Sequence, residues 1–279
     1  MAAGIHLSRA GYRALLLERA ELGGQARRLD VVENYPGFPR GVRGRDLMER
    51  WVSQGRRWGL VWRRAEAANV ARADGVFTVR AGRGGEIRSR AVLWCTGTRF
   101  RNLGVPGEER LRGHGVQNIA PEDLSRFGRR TVAIVGGGEV SVQQAIRLSH
   151  RVAEVHLISR SPRLKAHRLL LRRIADRPNV VRHPRFIIER LIGRRTLEAL
   201  VMRPAARDGA ASRLPVSSLC VLIGQEPARV PAAWRRPPRG FFIAGDAAGG
   251  TCRQVAVAGG DGVRAAMGCI RYLEDGWEN

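Results

Sequence analysis

An apolar run, Thr131 to Val135, passes through Gly136-Gly137-Gly138 directly into a helical pattern, and no other stretch limits the fold as tightly. The order is strand, glycine turn (Gly136 to Ser141, with Glu139 and Val140 inside it), helix from Val142 to Ser149, and a second strand from Val155 to Ile158. This is a βαβ unit of the length expected for one nucleotide-binding half. Glycine is wanted at Gly136 and Gly138 because a side chain there would keep a pyrophosphate from the N–H groups at the helix N-terminus. Ser141 is small enough to let helix and strand pack closely. A bare tight turn can share such glycines, so the argument rests on their setting between strand and helix.

The end of the second strand bears on which nicotinamide cofactor fits. An NAD site wants a carboxylate there for the ribose diol. This chain has Ser159-Arg160-Ser161-Pro162-Arg163-Leu164-Lys165 instead. Arginine can grip a 2′-phosphate through two parallel hydrogen bonds, and no acid competes. Arg160, Arg163 and Lys165 therefore point to NADPH, although arginine is common throughout the chain.

Elsewhere, strands and helices alternate, which argues an α/β protein with largely parallel sheets. A helix-period stretch (Ile5, Leu7, Ala10) leads into a strand over Ala14 to Leu17, expected to be buried, that ends at Glu18. A helix is expected from about Gly44 to Trp58, strands over Val76 to Arg80 and Ile87 to Cys95, a basic helix over Leu169 to Ile174, and weaker strands around Val180 and Leu197 to Met202. A strand over Ser218 to Ile223, a strand-then-loop at Phe241 to Asp246, and a closing helix over Gln254 to Leu273 complete the reading. Loops at Val105-Pro106-Gly107-Glu108 and at Gly224 to Pro227 mark two expected crossings between domains.

Charge and cysteine content narrow the function classes. A net charge of +24 invites a nucleic-acid reading. However, Lys165 is the only lysine, the arginines are spread evenly, and aromatic residues make up only 6% of the chain, leaving few stacking platforms. No nucleic acid is expected as partner; an anionic cofactor or an acidic protein makes better use of the field. Cys95, Cys220, Cys252 and Cys269 lie far apart, so neither a zinc knuckle nor a vicinal redox pair can be formed from their spacing. Cys95 reads as core and Cys252 as a packing residue. His114, His150, His156, His167 and His183 have no metal-ligand spacing and read as surface or hydrogen-bonded residues. No metal is expected. Without a secretory signal or a long apolar run, a cytoplasmic location is the default.

Several short motifs then occur together: Gly23-Gly24-Gln25, Glu33-Asn34-Tyr35-Pro36-Gly37-Phe38-Pro39, Thr96-Gly97, the Gly136 turn, Gly245-Asp246 and Arg253-Gln254-Val255. In order and spacing they resemble the low-molecular-weight thioredoxin reductases, over nearly the whole chain. The resemblance implies two Rossmann-like dinucleotide-binding domains, with an NAD(P)H-binding domain (104–225) inserted into an FAD-binding domain (1–103 and 226–279). It implies that Gly24, Gln25 and Asn34 line FAD, that Asp246 accepts hydrogen bonds from the ribityl chain, and that Gln254 and Val255 lie against the isoalloxazine. Glu18, Gly23, Thr96, Gly97, Gly245 and Arg253 belong to the same expected cofactor site, and a homodimer is expected on the same ground. Independently of the family, a carboxylate just past a buried strand and beside glycine, as at Asp246, suits a hydroxyl-rich ligand.

The chain departs from the family pattern twice. The resemblance places a first strand and its glycine-rich FAD loop ahead of Met1, so a displaced start codon or a fragment is expected. The family's Cys-x-x-Cys-Asp falls on Ile119-Ala120-Pro121-Glu122-Asp123, where Ile119 and Glu122 replace both sulfurs. Neither can undergo thiol–disulfide exchange, and Asp123 has no thiol to serve, so no catalytic side chain is assigned. Pro121 to Leu124 reads as a helix start. The expectation is an NAD(P)H-dependent flavin oxidoreductase that carries electrons from NADPH through FAD to an external acceptor, such as ferredoxin, an external disulfide or a quinone. The alternatives are an idle nucleotide-binding or scaffold protein and, third, a true thioredoxin-disulfide reductase.

Overall fold

The computed structural model describes residues 1–82, 85–120, 124–206, 209–228, 230, 234 and 236–275. The chain forms two compact units, Met1–Thr98 with Pro227–Asn279, and Arg99–Glu226. The first passage falls between residues 98 and 99, ahead of the loop at Val105 to Glu108 where the crossing was expected.

The first unit opens with helix α1 (Ala2–Arg9) and strand β1 (Leu15–Glu18). A four-residue helix α2 (Gly24–Arg27) and a small antiparallel pair, β2 (Val31–Val32) with β3 (Val42–Arg43), lead to helix α3 (Gly44–Arg57). Gly44 starts α3 where a Cβ would strike the carbonyls of Ala26 and Leu29, so only glycine fits this turn. Strand β4 (Val61–Arg64) pairs in parallel with β1, Leu15 opposite Val61. β1 is not buried as its apolar run implied: Leu15 is exposed and Leu16 to Glu18 are half-buried, because among the described residues the sheet holds β1 and β4 alone. Strands β5 (Ala67–Ala73), β6 (Val76–Ala81) and β7 (Gly85–Ser89) form an antiparallel sheet, and β8 (Val92–Trp94) follows. The single strand expected over Ile87 to Cys95 is thus two strands. β7 pairs antiparallel with β6, whereas β8 pairs in parallel with a strand near the C-terminus, so the chain must turn at Arg90-Ala91 to serve two sheets.

The second unit begins in the linking strand β9 (Thr98–Phe100), followed by helix α4 (Glu108–Leu111) and strand β10 (Val116–Gln117). β11 (Thr131–Val135), helix α5 (Glu139–Ser149) and β12 (Glu154–Ser159) are the βαβ unit read from the sequence. Helix α6 (Arg168–Ala175) and β13 (Val180–Pro184) come next. β14 (Phe186–Ile192), β15 (Ala199–Pro204) and β16 (Ser212–Pro215) form an antiparallel three-stranded sheet, and β17 (Ser218–Val221) and β18 (Gln225–Pro227) end the unit. The main sheet is parallel, in the order β10-β17-β11-β12-β13. Val132, Ile134, Val155 and Leu157 face a cluster completed by Val142, Ala145 and Leu148 of α5. Ala133, Val135 and Ile158 face a second cluster with Ile188 and Leu191 of β14. Burial on both faces explains why these strands read as continuous apolar runs.

The chain returns to the first unit with β19 (Phe241–Ile243), parallel to β8, and helix α7 (Val255–Asp275). Ala266 and Cys269 of α7 pack on Ala3 and Leu7 of α1. On the other side of β8 and β19 an aromatic group forms, in which Trp234 stacks on Phe241 at 5.2 Å and 6° and donates its indole N–H to the Val70 carbonyl at 3.1 Å. Among the described residues no helix is long and apolar enough to cross a membrane.

Candidate functional site

The glycine turn of the second unit is shaped by what would collide with it. Gly136 has φ +142°, and a Cβ there would run into the Leu222 carbonyl and the Ser141 hydroxyl. Ser141 is fully buried and its hydroxyl donates to the Leu222 carbonyl at 3.3 Å, holding α5 against the end of β17. Gly138 precedes α5 in extended conformation, with nothing within 4 Å of where a Cβ would sit. The α5 N-terminus is thus open at Gly138, with Glu139 as its first helical residue. Free amide donors at an open helix start suit an anion.

The loop after β12 is fastened to this turn. The Lys165 backbone N–H donates to the Gly137 carbonyl at 2.7 Å, and Gly138 and Lys165 form an isolated parallel bridge. Leu164 is buried and anchors the loop, while Arg160, Arg163 and Lys165 are exposed and make no ion pair among the described residues. Three cations beside a helix N-terminus have the charge that suits a phosphorylated ligand.

Ile119 and Ala120, where the resemblance puts part of the family's dithiol motif, lie against α5. Ala120 is buried at 2% exposure; its N–H donates to Gln144 Oε1 at 3.3 Å and its carbonyl accepts from Arg147 at 3.1 Å. Ile119 packs on the cluster beneath α5. Glu122 and Asp123, and the helix start expected at Pro121, lie outside the described residues; a 3₁₀ turn is described from Leu124 to Phe127.

The other predicted residues belong to the first unit. Glu18 ends β1 and its carboxylate accepts the Ala20 N–H at 2.9 Å. The Met1 amino group is buried beside Glu18 and Cys95; burial lowers its pKa, and the two neighbouring groups oppose that shift. Gly23 caps α2 with φ 102°, and a Cβ would meet the Met48 side chain; Gly24 and Gln25 then form the first turn of α2. Gln25 donates to the Thr98 carbonyl at 2.6 Å, which ties α2 to the segment after Thr96-Gly97. Asn34 donates to Gln254 Oε1 at 2.9 Å, joining the Asn34-Tyr35-Pro36-Gly37 turn to the start of α7. Gly245 and Asp246 begin a 3₁₀ turn after β19. Burial raises the Asp246 pKa, Arg253 opposes this and Asp261 adds to it. Val255 opens α7.

Sequence reading missed Thr98, the acceptor of Gln25, and Asp261, the α7 carboxylate that influences both Cys95 and Asp246. The run Gly259-Gly260-Asp261-Gly262 on a helix held the signal for Asp261, because glycine is costly in a helix unless something must approach closely. Two cysteines differ from expectation. Cys95 is exposed rather than core, because it follows the last residue of β8; packed neighbours nonetheless desolvate its thiol and raise its pKa. Cys252 is also exposed, which does not suit a packing residue. Among the described residues no cluster of His, Cys, Asp and Glu is fit to hold a metal.

Two Rossmann-like α/β units, one with an open glycine turn beside exposed arginines, define an oxidoreductase of the kind that uses dinucleotides. A family model described as pyridine nucleotide-disulphide oxidoreductase matches residues 1–237, and the chain belongs to that family. It is 29% identical to a thioredoxin reductase of Listeria innocua over 291 residues, covering 99% of this chain and 91% of that one. Its fold matches thioredoxin reductases of Lactococcus lactis (TM-score 0.91, 21% identity, 98% and 95% coverage) and T. acidophilum (TM-score 0.88, 22% identity, 98% and 94% coverage). Thioredoxin reductases use FAD and NADPH.

Proposed function

We propose that the protein is an FAD-dependent NAD(P)H oxidoreductase that passes electrons from NADPH to an acceptor outside the chain. The observation that carries this reading is the Gly136–Gly138 turn, open at Gly138 and bonded through Gly137 to a loop of exposed cations. In the second unit the α5 amides and Glu139 would hold the pyrophosphate and ribose, and Arg160, Arg163 and Lys165 the 2′-phosphate. The half-buried carboxylate of Asp246, the Glu18 carboxylate at the β1 end and the Asn34–Gln254 pair fit a hydroxyl-rich dinucleotide in the first unit. When bound, FAD supplies the two-electron chemistry, while the chain contributes binding, orientation and electrostatics.

The acceptor is external on this reading because Ile119 replaces one sulfur and is packed, and Ala120 is bonded on both sides to α5. Ferredoxin, a small disulfide and a quinone are the acceptor classes to compare. The charge of +24 favours an acidic protein partner, and a cytoplasmic homodimer is the expected setting.

The test is to purify the protein with excess FAD and add NADPH without oxygen. Yellow protein that bleaches supports the reading. Colourless protein, or colour that persists, leaves a nucleotide-binding or scaffold protein. Steady turnover of thioredoxin would show that the loss of the two sulfurs has been misjudged.

A further inference from the structure

Three titratable side chains of the second unit form a chain that the cofactor reading does not use. On β12, Glu154 accepts from His156 Nε2 at 2.8 Å; His156 Nδ1 and His183 Nε2 on β13 are 2.9 Å apart. His156 is 6% exposed, whereas Glu154 and His183 reach solvent in part. β13 is the edge of the parallel sheet, and its register sets His183 opposite Ile158 and Pro184 opposite Ser159, at the foot of the Arg160 loop.

We propose that Glu154, His156 and His183 form an acid-sensitive latch that holds β13 to β12 and opens when both imidazoles are protonated. A neutral pair is satisfied if His156 Nε2–H donates to Glu154 and His183 Nε2–H donates to His156 Nδ1. One added proton is also accommodated. His156 becomes an imidazolium facing Glu154 and donates through Nδ1, and His183 moves its own proton to Nδ1 and accepts. A second proton puts N–H against N–H at 2.9 Å, with two positive rings in contact, and the bond is lost. The groups acting on His183 agree: burial and His156 lower its pKa and Glu154 raises it. From β14, the Phe186 ring meets His183 edge-on at 6.1 Å, and the strand's charged residues, Glu189 and Arg190, are exposed. On β13 itself Arg182 is exposed.

An open strand takes up protons near the ordinary imidazole value of about 6.5. The closed latch refuses the second proton, so its hold is complete above that value and is lost as pH falls below it. The test is hydrogen exchange in the intact protein, comparing amide protection of residues 180–183 with that of residues 132–134 on β11 between pH 7.5 and 5. The ratio should fall by about ten-fold per pH unit below about pH 6, the slope for one excess proton in the open form. His183→Gln offers either a donor or an acceptor to His156 and should remove that fall. Glu154→Gln can still accept the His156 Nε2–H but removes the negative charge that favours the first proton in the closed pair, so the fall should start at higher pH. A β13 ratio that stays constant in the unmodified protein overturns the latch. So does a full acid loss in His183→Gln; if that variant does not fold, a Glu154→Gln profile that overlays the unmodified one has the same force.

Discussion

Placing a methyl group at Gly136 and, separately, at Gly138 distinguishes folding from cofactor binding within one turn. At Gly136 the φ of +142° is a conformation that side chains rarely adopt, costing about 1–3 kcal/mol. The new Cβ would also press on the Leu222 carbonyl and the buried Ser141 hydroxyl, and relief of such overpacking costs about 1–3 kcal/mol more. The sum, about 2–6 kcal/mol, is a large part of the 5–15 kcal/mol typical of a folded domain. At a urea slope of about 2 kcal/mol/M, Gly136→Ala should unfold about 1–3 M earlier. Gly138 has φ −88° and an empty surround, so Gly138→Ala should change stability by less than about 1 kcal/mol. Its methyl would stand where phosphate oxygens must approach the α5 amides. Losing one charge-assisted contact weakens NADPH by about 1.5–3 kcal/mol, on the order of ten- to a hundred-fold. Far-UV circular dichroism in urea reads the first effect and calorimetric titration with NADPH the second. Equal destabilisation by both substitutions, or unchanged NADPH affinity in Gly138→Ala, would refute the reasoning.

Three further outcomes follow from the same geometry. Arg160→Ala should weaken NADPH by about 1–3 kcal/mol and leave NADH nearly unchanged in parallel titrations; equal loss for both places Arg160 elsewhere. Buried Glu108 accepts from the Leu103 and Gly104 N–H groups and pairs with Arg112, so Glu108→Ala should cost about 2–4 kcal/mol in urea unfolding. With a thiol reagent at pH 8, exposed Cys252 should react first and Cys95 more slowly. Cys220, buried with its pKa pushed up to about 12, and Cys269, pushed up to about 11, should react only on unfolding.

The second unit was the more legible in sequence because its strands are buried on both faces. Thr131–Val135 and Glu154–Ser159 have apolar neighbours above and below, so their residue types are uniform and the glycine turn stands out. β4, with all four residues exposed, and β5, with one buried residue among seven, have no such signature and were missed. β14 was missed as well, since Glu189-Arg190 interrupts its apolar run at a register shift. The break at Arg90-Ala91 was hidden because β7 and β8, strands of two different sheets, follow one another with only these two residues between them. In the site, the glycines and the basic loop could be read locally. Gln25 with Thr98 and Asn34 with Gln254 are 73 and 220 residues apart, and no local pattern encodes such pairings.

Because Arg99–Glu226 interrupts the other unit, the two have different histories on the ribosome. The interior unit is continuous and has all its partners once its own residues have emerged. The outer unit cannot close until Ala266 and Cys269 reach Ala3 and Leu7, after the whole interior stretch has been made. Until then α1 carries an uncovered apolar stripe, and β8 waits for β19. Holding the nascent chain on the ribosome once residue 226 has emerged should therefore leave an interior that is protease-resistant while the first hundred residues still need a chaperone.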